Sequence, residues 1–234
     1  MQIPRDLAGK SVRTALGFEF ADVAIQFAGA IESCALGCDA GSGNGVGASE
    51  LDQLFARGAG VTDGPNVALY RLDPDLSVHK LDDHIIVSNG PCWSPDGRIF
   101  YFQDTWSGEI WAYDYDLDTG AVSNKRTFAK VDRSNGGAAD GSTVDAEGCL
   151  WNALVYDGKI VRYTPDGKID RVIDMPVKKV TSVMFGGPNL DVLYVTSMAK
   201  PPLPRFPGDG VQRGSLFAIY DLAIRGVPEP RFAG

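Results

Sequence analysis

From Val67 onward one unit keeps returning: a short apolar run, a turn built on an acidic residue and glycine, then a second run rich in aromatic residues. Its clearest copy is Ile86 to Phe102, in which Pro95-Asp96-Gly97 separates two such runs. Asp-Gly between apolar runs supplies the positive-φ positions of a two-residue hairpin turn. Ser88-Asn89-Gly90 reads as a polar turn leading into the first strand. Val144 to Ala153 repeats the unit around Glu147-Gly148, 51 residues after Asp96-Gly97, and Val183 to Val195 repeats it again, with Phe185 standing where Trp93 and Val144 stand. Between these copies, Ala68–Leu72, Ser77–Leu81, Glu109–Tyr115, Lys159–Tyr163, Asp170–Ile173 and Gly214–Tyr220 read as further strands. Pro165-Asp166-Gly167 marks another hairpin, and Pro201 to Gly210 a surface loop. A period of roughly 40 to 50 residues with four strands per period predicts the blades of a β-propeller, in which each sheet buries its faces against its neighbours. The 28 glycines and 14 prolines fit such a turn-dense, all-β chain better than a helical one.

Residues 1–65 read differently. They form an atypical Gly/Ala-rich segment without period-two alternation, of the partly disordered kind, and end in a short helix capped by Ser49 with Asp52 in its first turn. The run Gly41 to Gly47 has neither the G-x-G-x-x-G spacing nor a following Gly-Lys-Ser/Thr, so it reads as a linker and not as a phosphate loop. The organisation expected is therefore 1–65 as this segment and 66–234 as the propeller domain.

A formal charge of −8 leaves no basic cluster to neutralise phosphates, which excludes nucleic acid and an anionic membrane as expected partners. Cys34, Cys38, Cys92 and Cys149 are too scattered for a disulfide framework and lack the paired ligands of a zinc site, so they are expected to be reduced. No apolar run long enough to span a membrane and no secretory leader pattern is present, and the expected location is cytoplasmic.

The register of the repeat also selects side chains. Five residues before Ser94, Asp145 and Gly186 stand Asn89, Asp140 and Thr181. Equivalent positions at the start of the inner strands of a propeller converge on the central axis, so each unit offers one oxygen-bearing residue to a common site. Oxygen donors suit a hard divalent ion such as calcium, magnesium or manganese. Asn-Gly and Asp-Gly are also the commonest turn dipeptides, and only their equivalence across units lifts them above that reading. His79 and His84 have no Ser or Cys motif partner, and read as surface or turn residues.

Six phrases, in order, resemble the SMP-30/gluconolactonase/LRE (regucalcin-like) family of sugar lactonases: Ser88 to Gly97, Ala112 to Gly120, Ser123 to Arg126, Ala139 to Gly148, Pro176 to Ser182 and Phe185 to Thr196. The resemblance implies a six-bladed β-propeller with one divalent metal at the mouth of its channel and hydrolysis of a sugar lactone. It places metal ligands at Asn89, from the Ser-Asn-Gly motif, and at Asp140, which is also the implied catalytic base, although Ala139 replaces the usual proline. The implied cofactor is one divalent ion, with Ca²⁺ first and Zn²⁺, Mn²⁺ or Mg²⁺ as alternatives. The implied partner is a small sugar lactone. The sequence indicates no oligomeric state.

The family's first-strand glutamate and its substrate-holding Arg and Asn have no counterpart in a matching motif. Glu19 is the nearest candidate for the glutamate, and Asn66 follows Gly-Pro instead of preceding Asp-Gly. About four blades are recognisable and no N-terminal closing strand is evident, which leads us to expect an incomplete propeller and a member altered or truncated at its N-terminus. Two functional readings follow: an active lactonase with Asn89 and Asp140 at its centre, or a non-catalytic propeller that binds metal or ligand only.

Overall fold

The computed structural model describes residues 12–14, 67–73, 77–199 and 210–228. The expected helix at 49–55, the Gly41–Gly47 linker, Glu19, Asn66, Cys34, Cys38 and nearly all of the 201–210 loop lie outside these residues. Among the described residues there is no α-helix, and fourteen strands form four antiparallel sheets.

Strands β4 (Ser88–Trp93), β5 (Ile99–Asp104), β6 (Glu109–Tyr115) and β7 (Val122–Lys130) make one four-stranded blade in sequential order. Strands β8 (Ala138–Val144), β9 (Leu150–Val155), β10 (Lys159–Tyr163) and β11 (Ile169–Asp174) make the next. In the third, β12 (Val180–Gly186), β13 (Val192–Ser197) and β14 (Phe217–Ile219) are completed by β1 (Val12–Thr14). Strands β2 (Val67–Leu72) and β3 (Val78–Ile85) form a two-stranded sheet. The outermost strands of the first two blades are the most exposed. Every residue of β8 and β9 is buried, whereas β7 and β11 are mostly exposed. Strands β4, β8 and β12 lead their blades and pack on one another, Gly90 against Ser142 and Gly141 against Ser182, which identifies them as the inner strands.

Alternate residues of one strand serve two different blade interfaces, which is why these strands are apolar on both faces. Phe100 and Phe102 pack with Ile85 and Tyr113 towards the β2–β3 sheet, while Tyr101 between them packs with Val144, Leu150 and Tyr163 of the following blade. Trp151 and Ile160 then meet Phe185, Leu193 and Phe217 across the next interface, with Trp151 edge-on to Phe185 at 5.7 Å. Each such fully buried side chain contributes about 1.5–3 kcal/mol.

Two expectations about local structure are corrected. The Pro-Asp-Gly hairpin is not a two-residue turn with two positive-φ positions. Gly97 N–H donates to the Ser94 carbonyl (2.8 Å) and Ser94 N–H to the Ile99 carbonyl (2.9 Å), and in this turn only Gly97 has positive φ, +71°. Proline at the second position and glycine in the left-handed region at the fourth make this a type I turn with a glycine bulge. Asp145–Gly148 and Thr164–Gly167 make the same first bond, but there the Asp145 and Thr164 N–H groups donate one residue sooner, to the Cys149 and Lys168 carbonyls. An N-terminal closing strand is also present, since Val12–Thr14 pairs antiparallel with Phe217–Ile219.

A buried ion-pair cluster ties one blade together. Arg162, 4% exposed, bonds Asp145 (2.8 Å), Glu147 (2.5 Å) and Asp170 (2.9 Å), and Asp145 also accepts from Trp151 Nε1 at 2.7 Å. Burial works against the guanidinium charge, but these hydrogen bonds outweigh it and hold its pKa above the ordinary value.

Candidate functional site

Asn89, Asp140 and Thr181 all lie near the start of an inner strand, and each strand departs from regular pairing there. The register shifts between Asn89 and Cys92 on β4, between Ala139 and Ser142 on β8, and between Val180 and Ser182 on β12. A bulge frees a residue from the ladder and re-aims its side chain, and bulges concentrate beside functional sites. Ser88-Asn89-Gly90 is therefore no turn. The bend is at Ile86–Val87, and Gly90 takes φ +57° inside the strand.

The residue after each candidate explains how closely the inner strands approach. A methyl group on Gly90 would collide with Gln103 Nε2 and lie 2.8 Å from Ser142 Oγ. One on Gly141 would collide with Ser182 Oγ and lie 2.7 Å from its Cα. Thus β4 meets β8 at Gly90 and Ser142, and β8 meets β12 at Gly141 and Ser182, within one or two residues of the three candidates.

Asn89 is held by the turn that follows β5. Its Nδ2 donates to Thr105 Oγ1 at 2.7 Å, which orients the amide oxygen away from that contact. Neighbouring Asp104 accepts from the backbone N–H groups of Ile86 and Val87, both at 3.0 Å, and of Trp106 at 3.1 Å, fixing the start of β4. Thr181 Oγ1 shares a 2.8 Å hydrogen bond with Thr196 Oγ1.

Asp140 is 9% exposed and forms no ion pair among the described residues. Burial pushes its carboxyl up to about 8, only partly offset by the hydrogen bond from Gly141 N–H. An isolated carboxyl in a dry setting resists ionisation, and a nearby cation reverses that preference. The donor chemistry fits a hard divalent ion: a carboxylate with no positive partner and an amide oxygen on the adjacent strand. No cluster of three His, Cys, Asp or Glu exists among the described residues. His79 and His84 are far from such a role, with side chains 49% and 83% exposed.

Gln103 and Asn152 belong beside the site and escaped the sequence reading. Both are 0% exposed and both follow an aromatic residue within a buried strand. A polar residue inside an apolar, fully buried run was the signal that marked them. The acidic triplet Asp114-x-Asp116-x-Asp118, by contrast, is occupied elsewhere: Asp114 binds Asn124 and Arg126, and Asp116 accepts from the N–H groups of Asp118 and Thr119.

With this geometry in place, comparison with known proteins is informative. The profile of the SMP-30/Gluconolactonase/LRE-like region matches residues 52–199. Regucalcin of Homo sapiens is 40% identical over 172 residues, covering 71% of this chain and 56% of the relative. Regucalcin of Gallus gallus is 39% identical with the same coverage. The chain thus spans about half the length of the curated relatives it matches. Among solved structures, a luciferin-regenerating enzyme superposes with TM-score 0.67 at 30% identity, covering 73% of this chain and 56% of its own. A regucalcin of Agrobacterium tumefaciens described as a calcium-binding protein superposes at 0.65 and 30%, covering 72% and 56%. The bulged inner strands carrying Asn89 and Asp140 lie within the matched span, and on the strength of that match the chain belongs to the SMP-30/gluconolactonase/LRE-like family.

Proposed function

We propose that this protein hydrolyses a sugar lactone with the help of one divalent cation, calcium first among the candidates, held by Asn89 and Asp140. The observation that carries the reading is Asp140: a carboxyl buried without a positive partner among the described residues, on the inner strand that packs against the one carrying Asn89. The family supports the substrate class. A gluconolactonase of Xanthomonas campestris superposes with TM-score 0.51 at 25% identity, covering 65% of this chain and 44% of its own. The calcium-binding description of the Agrobacterium regucalcin supports the choice of ion.

A divalent cation at this position would polarise the lactone carbonyl and offset the charge that develops on its oxygen. Asp140, ionised beside that cation, takes the proton of the attacking water and returns it to the leaving ring oxygen. Asn89, its amide oriented by Thr105, contributes a neutral oxygen donor that leaves Asp140 as the sole base.

The test follows acid release from glucono-, galactono- and arabinono-lactones with Ca²⁺, Zn²⁺ or Mn²⁺, for the wild type and Asp140→Ala. Metal-dependent release that disappears in the variant is the expected result. Release unchanged by Asp140→Ala would refute the site. The presence of only two strong ligands among the described residues favours one rival, a propeller that binds cations without catalysis. That rival predicts calcium binding lost in Asp140→Ala, with no turnover of any lactone.

A further inference from the structure

We infer that Asn152, bridged to Gln103, is a positioning residue that holds the β8 bulge and so sets Asp140 against Asn89. The inference rests on the metal site proposed above. At the bulge between Ala139 and Ser142 the regular β8–β9 pairing is interrupted, and a buried carbonyl left off a ladder requires another donor. Asn152, on the facing strand β9, stands at that place: its Nδ2 lies 3.3 Å from the Asp140 carbonyl and 3.4 Å from that of Gly141, its two N–H groups being shared among these and two further acceptors. It also reaches Ser142 Oγ at 2.9 Å. Carbonyl oxygens only accept, so the amide can point in no other sense.

The same nitrogen crosses to the preceding blade, 3.2 Å from Gln103 Oε1, and Gln103 Nε2 donates back to Ser142 Oγ at 3.3 Å. Gln103 is the register partner of Asn89 on β4. The two amides therefore couple the strand pair that carries Asn89 to the strand pair that carries Asp140. Gly90 packs directly on Gln103, so the bridge is seated under the metal-facing residues of both blades.

The arrangement has a cost that argues for its use. Asn152 Oδ1 is buried and makes no hydrogen bond among the described residues. A leucine here would leave no such oxygen, and native proteins seldom keep a buried polar atom unsatisfied without a reason. The reason offered by the geometry is the donor arm, which no apolar side chain can replace.

The test is calcium affinity, measured calorimetrically with Ca²⁺ alone at one pH, on protein well below its unfolding midpoint. Affinity of the folded protein does not change merely because a variant is less stable. Asn152→Leu is expected to weaken Ca²⁺ binding by about 10- to 100-fold, the range for residues that orient metal ligands. Gln103→Met, which removes only the bridge, should weaken it by about fivefold, equivalent to one net hydrogen bond, and it serves as the test if Asn152→Leu does not fold. Ile160→Ala, equally buried in the same blade but away from the bulge, is expected to lower the unfolding midpoint and leave the affinity within about twofold of wild type. Wild-type affinity in both Asn152→Leu and Gln103→Met, with binding lost in Asp140→Asn, would overturn the positioning role alone. Wild-type affinity in Asp140→Asn would overturn the metal site, and the positioning role with it.

Discussion

Asp140→Asn should change how the metal-free protein responds to pH. The carboxyl has an ordinary value of 3.8 and is pushed up to about 8 by burial. Below pH 4 it is protonated whether the chain is folded or not, and contributes nothing to the pH dependence. Between about 4 and 8 the unfolded chain is ionised while the folded chain keeps its proton, so the folded state binds one proton more. Stability then falls as pH rises, by about 1.4 kcal/mol per pH unit, and above about pH 8 the full cost of about 5–6 kcal/mol is expressed. Asparagine cannot titrate, so the variant lacks this slope whatever its absolute stability. The measurement is urea unfolding in a chelator from pH 5 to 9, comparing the two proteins at equal m-value. Every other titrating group is common to both, so the difference between the curves isolates Asp140. Adding Ca²⁺ to the wild type should remove the slope, because the cation favours the ionised carboxylate and binds only the folded state. Parallel wild-type and Asp140→Asn curves would refute the claim that this carboxyl is buried without a positive partner.

Two further substitutions test the scaffold that presents the site. Gly141→Ala places a methyl group against Ser182 Oγ and 2.7 Å from the Ser182 Cα, and should cost about 1–3 kcal/mol in urea unfolding as β8 and β12 are forced apart. Arg162→Met strips the positive charge from the wholly buried Asp145 and should cost about 3–5 kcal/mol by the same measurement, without altering Ca²⁺ affinity, since the cluster lies at the β8–β9 hairpin, away from the bulge.

The blades were legible because each hairpin is written in local chemistry. Ser94 and Thr164 begin turns in which proline, aspartate and glycine each occupy the position their backbone preferences suit, and no distant contact is needed to read them. The first strand of the chain was not legible. Val12–Thr14 is three residues long, and what makes it a strand is the open edge of β14, more than 200 residues away in sequence. Ser88-Asn89-Gly90 shows a third situation, in which local chemistry points the wrong way. Asn-Gly favours a turn, yet here the positive φ of Gly90 serves a bulge, where Gln103 of the same blade and Ser142 of the neighbouring one pack directly against its Cα.

The bulges also bear on the count that selected Asn89, Asp140 and Thr181. Counting back from Ser94, Asp145 and Gly186 assumes regular strands, and none of the three inner strands is regular. Asn89 and Asp140 keep a common offset from their turns, which begin at Ser94 and Asp145, whereas the third turn begins at Gly187, so Thr181 stands one residue off that register. Gln103 and Asn152 lie outside that logic. They sit on second strands, touch each other across 49 residues of sequence, and hold the bulges from behind. The proposed ligands repeat with the blades, whereas the residues behind them join one blade to the next, and a contact between blades leaves no periodic trace in the sequence.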